Sequence, residues 1–88
     1  MDTREKITEL LINDIADVFM LDKDYVATNH ELNLREDLVA NSMQYFPIIT
    51  DLEEALEIDI DFHEFQNEAK TIKLAIDYIL NLYNVQHQ

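Results

Sequence analysis

The sequence predicts an all-α protein, a small bundle of three longer helices and one short helix, with a long loop after the first helix. Apolar residues recur at helical spacing in three separate segments, and no segment gives a strand pattern that would find a partner. The 88 residues, 48% of them apolar, suffice for one thin core, and residues 1–88 are therefore expected to form a single domain. These observations favour a helical bundle.

The first helix is predicted to run from about Thr3 to Phe19. Polar residues separate its apolar positions, as in an amphipathic helix with one buried face. The apolar positions are Ile7, Leu10, Leu11, Ile15, Val18 and Phe19. Asp2 precedes this segment and Glu5 follows three residues later, a pattern that caps helix starts.

Residues 21–40 are predicted to form a long connection, because the helical periodicity weakens there. A loop of roughly 20 residues is uncommon in a compact domain and is usually functional or partly structured. The apolar residues expected to pin it to the core are Val26, Leu32, Leu34 and Leu38. The chain has no glycine, and so positions with positive φ are expected to be Asn or Asp, or to be avoided.

A second helix is predicted to end near Leu56, with one apolar face and one acidic face. The apolar stripe consists of Phe46, Ile49, Leu52 and Leu56, and the acids expected to face solvent are Asp51, Glu53, Glu54 and Glu57. Ile58 and Ile60 then alternate with acids, but a lone strand has no partner here, and we interpret this stretch as a loop.

Two more helices are predicted after this loop. The stretch FHEFQ, residues 62–66, favours a short helix or a single turn. Thr71 is typical of an N-cap and precedes the last helix. One face of that helix carries Ile72, Ala75, Ile76, Ile79 and Leu80.

The start of the second helix combines a cap with a proline. Asn41 is a good N-cap, and Gln44 three residues later completes a pattern like a capping box. Pro47 then lies inside the helix, where it removes one hydrogen bond at a cost of about 3 kcal/mol in an ideal interior. We therefore expect an early helical turn from Ser42, with a kink or a 3₁₀ stretch at Phe46–Pro47.

The composition excludes several classes of protein. Nineteen acids against six bases give a net charge of −13, which disfavours nucleic acids and anionic membranes and attracts basic protein surfaces. The absence of cysteine excludes disulfides, thiolate metal sites and a thiol nucleophile. No apolar run reaches the roughly 18–20 residues that span a bilayer, and the N-terminus lacks a signal-peptide pattern, so we expect a cytoplasmic protein.

The sequence gives little support for a catalytic site or a metal site. The histidines, His30, His63 and His87, have no second ligand type at metal spacing, and no metal site is expected. The run from Asp59 to His63 lacks the central glycine and the closing glutamate of a calcium loop. Ser42 has no histidine and aspartate nearby in sequence to form a hydrolase triad. We therefore expect no catalytic residue.

The stretch LNLREDLVANSMQYFPIITDLEEALEIDI, residues 32–60, resembles the centre of an acyl carrier protein. That family's signature is an aspartate-serine-leucine triplet, preceded by an acidic-leucine-glycine-alanine stretch and followed by an acidic helix. The positions in register here are Glu36, Asp37, Leu38, Ala40, Ser42, Leu52, Glu53 and Glu54. The C-terminal AKTIKLAIDYI, residues 69–79, is similar to the family's last helix. The resemblance implies an acyl-carrier-like four-helix bundle.

The resemblance also implies that Ser42 is the attachment site for 4′-phosphopantetheine, which a phosphopantetheinyl transferase moves from coenzyme A. The arm ends in a thiol that carries fatty, polyketide-type or aminoacyl groups as thioesters. Asn41, as the helix cap, and Met43 would flank the modified serine. A phosphodiester at a helix N-terminus lies in a favourable field. The implied protein is a carrier and not an enzyme.

The partners implied by the resemblance are the transferase and acyl-loading or ketosynthase-type enzymes with basic docking surfaces. The acids offered to them are Asp51, Glu53, Glu54 and Glu57. Asn41 replaces the usual aspartate, Met43 the usual leucine, and Val39 the usual glycine, for which negative φ is expected. We hypothesise that a kink at Pro47, together with Asn41 and Gln44, reshapes the surface next to Ser42, narrows the choice of partner enzymes and indicates a specialised biosynthetic pathway.

A set of apolar residues is implied to line a cleft for the acyl chain. The set comprises Phe46, Ile49, Leu52, Phe62, Phe65, Ala69 and Ile76, and plain bundle core is the other interpretation of it. One alternative of another class stays open for the whole chain, a carrier-fold interaction module without the prosthetic group. A small hydrolase that uses Ser42 fails for want of a base. We expect the carrier to be a monomer.

Overall fold

The structure, a computed structural model, describes residues 2–38 and 41–88, and these residues form five α-helices. In chain order they are α1 (Thr3–Phe19), α2 (Lys23–Ala27), α3 (Ser42–Leu56), α4 (Phe62–Glu68) and α5 (Ile72–Gln86). The all-α class and the bounds of the first helix are confirmed. The sequence does not predict α2, which lies inside the expected long loop. The expectation for Val39 falls outside the described residues.

The connection between α1 and α3 is partly helical. Asp22 caps α2, and its carboxylate accepts a hydrogen bond from the backbone N–H of Asp24 at 2.8 Å. A helix of five residues is too short to show periodicity, which is why the sequence pattern misses it. The predicted pins are confirmed: Val26 and Leu34 are buried, and Leu32 and Leu38 are half-buried.

Backbone pairing ties the end of this connection to the start of α5. The N–H of Leu34 donates to the carbonyl of Lys70 at 2.9 Å. Asn33 and Thr71 form an isolated antiparallel bridge. The oxygen of the Thr71 side chain caps α5 by accepting the N–H of Leu74 at 3.1 Å, which confirms the predicted N-cap. Residues 32–34 are thus fixed against the α4–α5 junction.

The hydrophobic core lies where α1 packs on α3 and on α5, and α4 packs on α3 and α5. The largest fully buried side chains are Tyr45, Phe65, Ile7, Leu11, Ile15, Leu34, Ile48, Leu52, Ile72, Ile76, Ile79 and Val26. The predicted apolar faces of the first and last helices therefore do form core, with Leu10, Val18, Phe19 and Leu80 half-buried at its edge.

The apolar stripe of α3 differs from the prediction at one position. Ile49, Leu52 and Leu56 are buried as predicted, but Phe46 is 53% exposed, and Tyr45 and Ile48 are buried instead. Successive residues of a helix are turned by about 100° around its axis. Tyr45 therefore points into the core, while the next residue points toward α4 and out of the core.

Two helices end at residues with positive φ, in spite of the absence of glycine. Met20 follows α1 with φ 56°, and Glu57 follows α3 with φ 55°. Both donate a backbone hydrogen bond to the last turn of their helix, which satisfies one otherwise unpaired carbonyl. The expectation that such positions use Asn or Asp, or are avoided, is wrong, and the left-handed conformation costs about 1 kcal/mol at each.

The capping box at the start of α3 is confirmed. The Asn41 side chain accepts the Gln44 N–H at 3.2 Å, and the Gln44 side chain accepts the Asn41 N–H at 2.9 Å. The helix begins at Ser42 as predicted and continues as α-helix through Pro47. The predicted 3₁₀ stretch is therefore wrong. Pro47 has no N–H to donate to the carbonyl of Met43. Because Met43 is exposed, water can replace this lost hydrogen bond.

Replacing Pro47 by alanine is expected to stabilise the protein. The proline is exposed, so little packing is lost, and alanine restores the missing hydrogen bond within α3. Removing the proline also makes the unfolded chain more flexible, which offsets part of this gain. We therefore expect the free energy of unfolding to rise by about 1–2 kcal/mol. Urea denaturation measures it, with Thr50→Ala, also exposed on α3, as the control. A gain no larger than that of the control would contradict the prediction.

A carboxyl pair lies between α1 and α3. One oxygen of Asp14, Oδ2, is buried and has no hydrogen-bond partner among the described residues. Burial, followed by the hydrogen-bonding carboxyl of Asp51 and its charge, and last the charge of Asp17, raises the pKa of Asp14 from 3.8 to about 8. Burial and the neighbouring carboxyl of Asp51 thus favour the protonated form of Asp14 in the folded protein.

The Asp14 carboxyl is expected to make stability fall as the pH rises from about 4 to about 8. In that window the folded state holds the proton and the unfolded state has released it, and above about 8 both have lost it. In thermal unfolding, Asp14→Asn should have the same unfolding temperature as the parent protein near pH 4. Its unfolding temperature should then exceed that of the parent by a margin that grows up to pH 8. Glu9→Gln, an exposed carboxyl on the same helix, is the control. Parallel curves for Asp14→Asn and the parent would contradict this assignment.

Candidate functional site

Ser42 is the first residue of α3, and it is exposed. Its Oγ accepts a long hydrogen bond of 3.4 Å from Nε2 of Gln66 on α4. An amide nitrogen cannot take a proton from a hydroxyl as a general base would, and this contact gives no support to a hydrolase. The sequence does not indicate Gln66, because the two residues lie 24 positions apart and share no motif.

The electrostatics at Ser42 differ from those of the rest of the chain. The first turn of α3 contains no acid, whereas the chain as a whole has 19. The capping box occupies the N–H groups of Asn41 and Gln44. The remaining N–H groups of the first turn have no intrahelical acceptor, and with the helix dipole they give this end of α3 a partial positive charge. An anion attached to Ser42 would therefore lie in a favourable field.

An open groove of about 740 Å³ adjoins the serine. It is lined by Val18, Asn41, Ser42, Met43, Gln44 and Pro47. Met43 is 77% exposed, which is unusual for so large an apolar side chain. The structure thus brings together five residues that the sequence predicts, and it adds Val18 from the end of α1.

The four predicted acids of α3 separate into two groups. Glu53, Glu54 and Glu57 line one groove together with Ile58 and Asp59. Asp51 is exposed but lies beside Asp14, on the side of α3 that faces α1. Glu53 is half-buried, and its Oε2 accepts the N–H of Ile60 at 2.9 Å. The expectation that Glu53 simply faces solvent is therefore wrong, because this carboxylate also holds the loop after α3.

The residues of the predicted acyl cleft lie between α3, α4 and α5. Ile49, Leu52, Phe65, Ala69 and Ile76 are buried within the core. Phe46 and Phe62 form the outer layer and stack with their ring centroids 4.6 Å apart at 14°. Phe62 also meets Tyr45 edge to face at 6.4 Å, which connects this outer stack to the core.

The histidines lie apart from the serine. Nε2 of His87 lies 2.9 Å from the carbonyl oxygen of Leu56, so the ring covers the end of α3. His63 packs against the edge of Phe62, and His30 is half-buried in the connection before α3. Within residues 2–38 and 41–88 no cluster of three or more His, Asp or Glu residues could hold a metal ion. None of the described helices is long and apolar enough to cross a membrane.

Comparison with known proteins identifies the family of this chain. No protein-family profile matches the chain. An acyl carrier protein from Rubrobacter xylanophilus is 33% identical over 85 residues, which cover 97% of this chain and 95% of that protein. Identity at this level over nearly the full length of both chains shows common ancestry, and the helical bundle agrees with it. The chain therefore belongs to the acyl carrier protein family.

Proposed function

We propose that this protein carries acyl groups as thioesters on a 4′-phosphopantetheine arm attached to Ser42. The observation that carries the proposal is the position of the serine, exposed at the first residue of a capped 15-residue helix whose first turn has no acid. Membership of the acyl carrier protein family supports a carrier function in general. The acyl class, whether fatty, polyketide-type or aminoacyl, and a specialised pathway are part of the proposal.

The residues around Ser42 fit the prosthetic group. Attachment of a phosphodiester needs an accessible hydroxyl, and neighbouring N–H donors stabilise the phosphate. Ser42 supplies the hydroxyl, α3 supplies the N–H groups of its first turn that have no intrahelical acceptor, and Gln66 supplies an amide donor. The open groove lined by Met43 and Pro47 leaves room beside the serine.

The bound arm would supply a thiol, which this cysteine-free chain lacks. The protein's own residues would present the arm and would catalyse nothing. Asn41 and Gln44 fix the start of α3 and thereby the direction of the serine Cα–Cβ bond. The chemistry on the thioester then belongs to partner enzymes, and we place the carrier in the cytoplasm as a monomer.

The acidic end of α3 is the proposed docking surface. Glu54 and Glu57 are exposed, and they share a groove with Glu53. Asp51 adds charge on the side of α1. Basic surfaces on the transferase and on acyl-loading or ketosynthase-type enzymes would be steered to these carboxylates, which favours fast and reversible docking. Gln44 and Pro47, next to the serine, are proposed to narrow the choice of partners.

The apolar layer under Phe46 and Phe62 is the proposed location of a bound acyl chain. Its inner members are already packed, so a chain would enter only if the outer stack moved. Amide resonances of Ile49, Phe65 and Ile76 should then shift when a long acyl group is loaded. Unchanged resonances would mean that the cargo stays outside the bundle.

Modification of Ser42 is the direct test of the carrier function. Purified protein is incubated with coenzyme A and a broad-specificity phosphopantetheinyl transferase, and its intact mass is measured. We expect a mass gain of one phosphopantetheine in the parent protein and none in Ser42→Ala, because the hydroxyl oxygen forms the new bond. Thr50→Ala, also on α3, should be modified like the parent.

A negative result has a defined meaning in this test. If the parent protein gains no mass with broad-specificity transferases and with the transferase from its own source, the carrier function is wrong. The carrier-fold interaction module without a prosthetic group would then be the better description. Modification of Ser42→Ala would show that another residue is the attachment site.

Reversing charge at the end of α3 is expected to slow modification. The double variant Glu54→Lys/Glu57→Lys should reduce the second-order rate with the transferase by about tenfold at low salt, and less at high salt. Glu9→Lys/Glu31→Lys makes the same change in net charge at exposed positions elsewhere and serves as the control. Equal losses in both double variants would show that net charge, and not this surface, determines the rate.

A further inference from the structure

Gln66 belongs to two neighbouring surfaces. Its Nε2 donates to Ser42 Oγ at 3.4 Å, and Gln66 also lines a pocket of about 200 Å³ that does not include the serine. The pocket is lined by Asn33, Arg35, Glu36, Gln66, Asn67 and Lys70. It lies between the end of the α1–α3 connection and α4, and Gln66 is its link to Ser42.

This pocket concentrates positive charge in an acidic protein. Arg35 and Lys70 are two of the chain's six basic residues, against one carboxylate in the lining, that of Glu36. Within the described residues the ion pairs are formed by Arg4 and Lys73, and neither Arg35 nor Lys70 takes part in one. The amides of Gln66 and Asn67 add neutral donors. These groups suit a small oxyanion.

The backbone that carries these groups is well fixed. Asn33 Oδ1 accepts the N–H groups of Arg35 and Glu36, each at 2.9 Å. The carbonyl of Lys70 accepts the N–H of Leu34 at 2.9 Å, which joins the two sides of the pocket. The pocket is therefore formed before any ligand arrives, and little entropy would be lost in ordering its backbone.

We propose that Gln66, Arg35 and Lys70 bind the phosphodiester of the prosthetic arm attached to Ser42. This inference rests on the proposed function. The Gln66 amide already donates to the oxygen that would be esterified, and after modification it would donate to a phosphate oxygen instead. The two cations then offset the added negative charge. An arm held at its phosphate would extend from the protein surface in a restricted range of directions.

The test compares apo and holo protein by thermal unfolding and by NMR of the Gln66 side-chain amide and of ³¹P. In the parent protein, the Gln66 amide signals should shift on conversion to holo, and the unfolding temperature should rise by about 2–6 °C. Gln66→Met, which removes the donor, and Lys70→Gln should each reduce this rise and move the ³¹P signal. Added salt should also reduce it.

Two control variants separate the pocket from general effects. Asn81→Ala removes an exposed amide on α5, and Lys6→Gln removes an exposed charge on α1. Both should keep the full difference between apo and holo. Using this difference within each variant removes any effect of the substitution on folding itself.

The outcomes separate this inference from the proposed function. Absence of any mass gain on Ser42 would overturn both. A confirmed mass gain, with unchanged Gln66 signals and the same apo–holo difference in all variants, would overturn the phosphate site and leave the carrier function intact. Loss of the difference in Gln66→Met and Lys70→Gln, but not in the controls, would establish the site.

Discussion

The apolar contact of α1 with α3 and α5 is the interaction on which the rest of the molecule depends, because the charges of this chain oppose folding. A net charge of −13 on 88 residues repels itself in any compact state. The ion pairs within residues 2–38 and 41–88 are both formed by Asp77, whose pKa is lowered by hydrogen bonds from Lys73 and then Arg4. Exposed pairs contribute only about 0–1 kcal/mol each, so the buried side chains must supply the stability.

The distribution of charge around this core is what makes Ser42 distinctive. Acids crowd the far end of α3, where Glu53, Glu54 and Glu57 share a groove. The near end has no acid in its first turn, and it adjoins a pocket with Arg35 and Lys70. In the proposed carrier function, the start of this helix would receive the added anion, and its acidic end would bind basic partner proteins.

Local features of the fold could be predicted from the sequence, because local residues determine them. The capping box of Asn41 and Gln44, the N-cap Thr71 and the bounds of α1 each follow from residues within a few positions of one another. The sequence does not determine which residues form the buried stripe of α3, because Tyr45 and Phe46 are both aromatic and only Tyr45 faces the core. The Tyr45 hydroxyl is buried with no hydrogen-bond partner among the described residues, an unfavourable arrangement that no sequence pattern predicts.

The contacts that build the candidate site could not be predicted, because they join residues far apart in the sequence. Gln66 reaches Ser42 only because α4 is held in place, and seven residues are too few for a stable helix in isolation. Asp61 caps its start through the N–H of Glu64 at 2.8 Å, and buried Phe65 anchors it in the core. The Tyr78 hydroxyl donates to the Glu64 carboxylate at 2.7 Å and joins α5 to α4. The packing of α4 against α5 thus helps to position the donor at the serine.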